Sequence, residues 1–185
     1  MKRFILNSFF IILGVLLTID VKAHADELIY TAPNYNLVRG TTIGVAPFQN
    51  LTSAGDAGDI VSNLIANTFA ESRAFRVYGE NLFKVRMPSA GLNPSLPVDR
   101  SISVKIGQQS GLNYVIFGSV IEYDYQLTPQ GTKTLPIVGI DARIVDINSG
   151  RIIFAGSFIK EGSPGSPLNE VAAKVVRAIY EKAVR

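Results

Sequence analysis

Glu122 and Asp124 stand two residues apart in the run Tyr114-Val115-Ile116-Phe117-Gly118-Ser119-Val120-Ile121-Glu122-Tyr123-Asp124-Tyr125. In a strand, residues i and i+2 point to one face, so the two carboxylates share a side, with Asp141 on a following strand within reach. Paired carboxylates are the equipment of glycosidic acid–base chemistry. The same spacing also describes a solvated sheet face with Tyr123 turned the other way. That reading is the simpler one, because no deep-pocket pattern accompanies the pair. Asp56 and Asp59 offer oxygen ligands to a hard cation, without EF-hand spacing. As residues opening a helix they would instead favour its dipole and cap its free N–H groups. No glycine cluster has the spacing of a phosphate loop or a dinucleotide fingerprint. The aspartates after Gly55 and before Ile60 would repel a phosphate.

The second group is aromatic and apolar. Tyr123, Tyr125, Leu127 and Leu135 surround the turn that follows the long strand, and Tyr30 and Tyr35 lie in the amino-terminal arm. Each is a candidate partner-interface anchor or, equally, packing of an edge strand or of the arm on its own domain. Lys174, Arg177, Lys182 and Arg185 give the last helix a basic outer face, of the kind that is mostly solvated.

Composition narrows the chemistry. The chain has 185 residues, 18 Lys+Arg, 15 Asp+Glu, one His, no Cys and no Trp. The single histidine, His24, falls in a segment read below as removable. Without thiolate or imidazole, structural zinc and most transition-metal sites lack ligands, and Ser-His-Asp or Cys-His catalysis lacks its base. No cofactor is expected. The removable segment carries Lys2, Arg3, Lys22 and Asp20, so the remainder has a net charge of only about +1, too balanced for a basic nucleic-acid groove.

That segment has the order of a secretory signal. Met1-Lys2-Arg3 is a positive start and Phe4 to Ile19 is almost wholly apolar. Ala23-His24-Ala25 then supplies the small-residue cleavage site before Asp26. The competing reading, an uncleaved anchor, is disfavoured because the apolar run is about 16 residues, against the ~20 that span a bilayer core. Cleavage between Ala25 and Asp26 is expected, and with no Cys the chain offers no acceptor for a lipoprotein lipid. About 160 residues then remain, enough for one domain with a real core.

Along that remainder, residues 26–41 read as an extended amino-terminal arm and 42–185 as one domain. Thr42 to Phe48 predicts a buried strand, and Gln49 to Gly58 a polar loop. Ala57, Ile60, Val61, Leu64, Ile65, Thr68 and Phe69 form one helical stripe. Phe75 to Tyr78 predicts a short strand, Asn81 to Met87 a helical turn or two, Pro88 to Pro97 a loop, and Ser101 to Ser110 a helix stopped by Gly111. Tyr114 to Tyr125 is a long strand. After a turn from Gln126 to Leu135, Ile137 to Ile147 and Arg151 to Ile159 form a hairpin around Asn148-Ser149-Gly150. Leu168, Val171, Ala172, Val175, Ile179 and Ala183 mark a last helix beyond the linker 161–167. The order β-α-β-(α)-α-β-β-β-α predicts an α/β (α+β) domain with a mixed sheet flanked by helices.

Four segments carry a family resemblance. They are Ile43-Gly44-Val45-Ala46-Pro47-Phe48 with its Asn/Thr loop, and Phe69-Ala70-Glu71-Ser72-Arg73-Ala74-Phe75. The more specific two are Ser110-Gly111-Leu112-Asn113-Tyr114-Val115-Ile116-Phe117-Gly118-Ser119-Val120 and Ala142-Arg143-Ile144-Val145-Asp146-Ile147-Asn148-Ser149-Gly150-Arg151-Ile152-Ile153. In this order they resemble the periplasmic domain of the curli secretion channel (CsgG-like) family. That group extends to penicillin-binding-protein activator lipoproteins, flagellar outer-ring proteins and the TolB amino-terminal fold. The resemblance covers roughly Thr42 to Ile159. Two departures set this chain apart: membrane-hairpin insertions are missing at the 126–135 turn and after Ile159, where each barrel strand would need about 9–11 residues, and the family's lipidated Cys is absent.

The resemblance, with the export signal and the few catalytic residue types, implies a non-enzymatic accessory or structural subunit of a cell-envelope assembly. Its expected place is the periplasm, associated with the outer membrane through a partner. Expected partners are outer-membrane ring or secretion subunits, or further copies of the chain, with no nucleic acid and no lipid anchor of its own. A regulator of a peptidoglycan synthase is the near alternative. A carboxylate-based hydrolase of envelope glycans is the alternative of another class.

Overall fold

A computed structural model describes residues 28–128, 131 and 133–185. Its strands are β1 (Leu28–Thr31), β2 (Thr42–Val45), β3 (Gln49–Asn50), β4 (Arg76–Tyr78), β5 (Tyr114–Leu127), β6 (Thr134–Asp146) and β7 (Ile152–Glu161). The helices are α1 (Ala57–Glu71), α2 (Asn81–Ser89), α3 (Arg100–Gln109) and α4 (Leu168–Ala183). One mixed sheet runs β1-β7-β6-β5-β2-β4, with β3 beside the middle of β5. β4 and β5 flank β2 in parallel, and β5, β6, β7 and β1 are successively antiparallel. The α/β architecture expected from the element order is present.

Handedness decides which helix covers which face. The crossover from β2 to β4 through α1 steps one way along the sheet. The crossover from β4 to β5 through α2 and α3 steps back over β2. Both must be right-handed, so α1 lies on one face and the α2–α3 pair on the other. α4 joins α1. The first face is fully packed: Val61, Ile65 and Phe69 of α1 and Val175 and Ile179 of α4 meet Ile116, Ile140, Ile144 and Phe154. The second face holds a smaller core, in which Phe83, Met87 and Ile106 cover Val115, Phe117 and Val145. Each large side chain removed from water in this way stabilises the fold by roughly 1.5–3 kcal/mol before its ordering cost.

Local chemistry explains the ends. Asp99 accepts the Ile102 N–H at 2.8 Å and caps α3. At the other end Gly111 takes φ +66°, and Leu112 N–H closes onto Gly107 O at 2.9 Å. This is the left-handed glycine stop expected for that helix.

Several expectations are corrected. The polar arm contains β1, because β7 would otherwise present a row of unpaired N–H and C=O groups; Ala32 N–H extends the pairing to Ile153 O at 3.0 Å. The 49–58 loop contains β3, paired to Ser119 and Val120. Helix α2 runs through Pro88 to Ser89, since a proline in the last turn forfeits only one bond. The 126–135 turn is shorter than expected because β5 and β6 stay paired out to Leu127 and Thr134, and β7 follows β6 as far as Glu161. Asp56 opens α1 without a side-chain capping bond.

Candidate functional site

The two faces of the sheet end up differently covered over β1, β7, β6 and the far half of β5. On the first face Val138, Ile140, Ala142, Phe154 and Phe158 are buried under α4 and α1. Residues paired across a ladder point to the same side, so the second face can be read from the register. One row crosses it as Leu28, Ser157, Asp141, Ser119 and the next as Tyr30, Ala155, Arg143, Phe117. Only Phe117, under α3, is buried in these rows. Small Ala155 and Ser157 form the floor of a shallow groove between Leu28 and Tyr30 on one side and Asp141 and Arg143 on the other. Leu28 is 74% exposed, Tyr30 49% and Ile159 42%, which is unusual exposure for three apolar side chains on one sheet face.

A β-bulge decides what else reaches this surface. The β5–β6 register shifts between Val120 and Glu122. Counting by two from Ile116 would place Glu122 and Asp124 with buried Val120. The extra residue turns both carboxylates to the second face and leaves Tyr123 in the first-face core. Glu122 then sits opposite Gly139 and Asp124 opposite Ile137, with Asp141 diagonal to Glu122 on the same side. Glu122 is half-exposed and Asp124 exposed. The three expected carboxylates are therefore brought onto one surface, and it is flat and open rather than a cleft.

The six aromatic and apolar interface candidates separate. Tyr30 lies on the bare face. Leu135 pairs with Gln126 near the hairpin end. Tyr125 (45% exposed) and Leu127 (69%) lie at the same end, where the Tyr125 hydroxyl donates a long 3.4 Å bond to Ser166 O. Tyr123 is packed in the core, 4% exposed, and its hydroxyl donates to Asn169 Oδ1 at the start of α4. Burial, with Asp56 and then Tyr125 adding to it, raises its pKa. Tyr35 is half-buried and donates to Ala183 O at 2.9 Å; burial first and nearby Tyr114 second hold its pKa far above the ordinary 10.0. These two tyrosines tie their strand and arm to α4 instead of standing on the surface. The expected cleavage site, Ala25–Asp26, lies outside the described residues.

Asp59 proves to be an exposed anchor for Lys84 Nζ at 3.4 Å. The same ammonium donates to nearly buried Glu80 Oε1 at 2.8 Å, and that hydrogen bond is the main cause of the raised Lys84 pKa. Among the described residues no three His, Cys, Asp or Glu side chains gather as a metal site. Sequence reasoning missed one polar cavity of about 230 Å³ beneath the arm, lined by Asn34, Tyr35, Tyr114, Asp146 and Arg151 among others. Asp146 Oδ1 there is already engaged by Ser149 N–H and hydroxyl, at 2.7 and 2.9 Å. Its signal in the sequence would have been the pairing of the arm with β7, which leaves no periodic trace.

No family model and no curated protein matches the chain. Among solved structures, the PelC dodecamer from Paraburkholderia phytofirmans is similar at a TM-score of 0.63 and 18% identity, over 85% of this chain and 97% of that one. Lipoprotein GNA1162 from Neisseria meningitidis is similar at 0.50 and 20% identity, over 76% and 99%. The LpoB C-terminal domain from Salmonella enterica is similar at 0.51 and 17% identity, over 70% and 87%. The chain shares its fold with these proteins.

Proposed function

We propose that the chain is a non-catalytic structural or accessory subunit of a cell-envelope assembly, packing beside copies of itself in an outer-membrane-associated secretion or flagellar ring, as the CsgG-like resemblance suggests. The observation that carries this reading is the fold it shares, over nearly its whole domain, with a protein solved as a dodecamer. The bare second face, with exposed Leu28, Tyr30 and Ile159, supports it, because a monomer gains nothing by leaving such residues in water. The secretory signal expected from residues 1–25 supports a periplasmic location for the subunit. No helix among the described residues is long and apolar enough to cross a membrane, and in this reading association with the outer membrane runs through a partner.

The test is native mass spectrometry of the protein exported from its full-length sequence, with affinity capture from gently solubilised envelopes. A defined oligomer that co-purifies with ring or secretion subunits is the expected result. A monomer that brings down a peptidoglycan synthase would replace this reading with the second one, a regulator of that synthase. That alternative rests on the fold shared with the LpoB C-terminal domain and on the resemblance to the penicillin-binding-protein activator lipoproteins. Loss of a glycan-hydrolysing activity in Glu122→Ala/Asp124→Ala with the fold intact would overturn both.

A further inference from the structure

The second face has the shape of a step. Its β5–β2 part carries the α2–α3 pair, one helix layer thick, and its β7–β1 part is covered by no other element among the described residues. The two halves also differ in charge. The bare half presents Glu122, Asp124, Asp141 and Glu161 against a single guanidinium, Arg143, and none of these five is in an ion pair among the described residues. The α2–α3 layer turns Arg86, Arg100 and Lys105 to solvent. Its one acidic residue within that span, Asp99, is used as the helix cap. Each half has exposed apolar side chains as well: Leu28, Tyr30 and Ile159 on the sheet, Val85 (69%) and Leu96 (48%) on the helical layer.

We infer that the bare half-sheet of one copy receives the α2–α3 layer of the next copy of this chain. The raised, basic, apolar-tipped layer fills the recessed, acidic, apolar-floored one, and two copies facing each other make this contact twice. A second copy is the favoured occupant because both complementary surfaces are present on one molecule, side by side on one face. Opposite potentials would steer and register the contact, while the apolar residues supply its water-excluded centre. The inference rests on the self-assembly reading above and adds to it which surfaces meet.

The test is a charge-reversal pair in the full-length exported protein. One variant carries Arg86→Glu, Arg100→Glu and Lys105→Glu, and the other Glu122→Lys, Asp124→Lys and Asp141→Lys. Circular dichroism and urea melting confirm that each is folded. Each variant alone is expected to run as a monomer at a concentration where the parent chain is assembled. An equimolar mixture regains assembly, because each acidic surface again meets a basic one. Assembly of either folded variant alone, or failure of the mixture to recover it, overturns the contact while leaving self-assembly standing. A parent chain that is itself monomeric overturns the self-assembly reading and the contact with it.

Discussion

Asn113 Oδ1 accepts both the backbone N–H and the hydroxyl of Thr42, at 2.9 and 2.8 Å, and Asn113 N–H donates back to Thr42 Oγ1 at 3.1 Å. The pair joins the first residue of β2 to the residue before β5, 71 positions apart. It sets the parallel register in which Ile43 faces Tyr114. Asn113→Ala would leave the nearly buried Thr42 N–H without this acceptor, a loss of about 1–3 kcal/mol. Urea denaturation should show a lower midpoint at unchanged slope, and Asn113→Asp, which keeps the acceptor, should recover part of it.

Gly118 is a sharper test of the sheet. A Cβ built there would lie 1.9 Å from the backbone oxygen of Asp141 and 2.8 Å from the Phe48 ring. A flexible side chain can move aside, but a ladder carbonyl cannot do so without breaking the β5–β6 pairing. Gly118→Ala should therefore cost about 1–3 kcal/mol or more, whereas Gly55→Ala, with open space around its added carbon, should be nearly neutral. Thermal melting of the two variants side by side checks the difference.

How much of this was legible in the residues depends on what holds each element. Helix α4 follows from its stripe alone, since Leu168 through Ala183 repeats at helical spacing and the helix spans those residues. β1 and β3 were not legible. Their residues are polar or mixed, and each strand exists because a distant neighbour has unpaired backbone groups. The bulge after Val120 was equally hidden. The strand passes there from a continuous apolar stretch to an alternating one, and only the partner strand shows that the count slips. The carboxylates were identified as a same-face pair, but the slip decides that this face is the bare one. The step-shaped surface combines strand order with crossover handedness, and neither is written in any single segment.

Phe69 links three elements of the first-face core. Its ring meets Tyr180 of α4 edge-on, with centroids 5.0 Å apart, and lies 6.0 Å from Phe75 just before β4. It is wholly buried. Truncation removes the ring's burial and both aromatic contacts and leaves a cavity between two helices. Phe69→Ala should lower stability by about 3–5 kcal/mol, while Phe69→Leu should cost distinctly less. Calorimetry distinguishes them, and the α1–α4 packing should be the first part to lose amide protection from hydrogen exchange.

The tyrosines that bind the arm and β5 to α4 give the fold an alkaline limit. Burial keeps the Tyr35 hydroxyl neutral in the folded chain at pH values where the unfolded chain ionises it, and Tyr123 shifts the same way. The folded pKa is raised above the unfolded one, so the stabilisation from this source is fully present below pH 10.0, the ordinary tyrosine value. Above it, stability falls as the pH climbs toward the folded pKa. The slope per tyrosine is at most about 1.4 kcal/mol per pH unit, and less for a ring that keeps partial solvent contact. Tyr35→Phe removes the bond to Ala183 O, so it should be less stable than the parent at neutral pH by about 0.5–1.5 kcal/mol. It should also lose stability less steeply above pH 10.0. Urea melts at neutral pH and at two alkaline values, compared between parent and variant, check both signs. Parallel curves across that range would mean that Tyr35 ionises as freely in the folded chain as in the unfolded one.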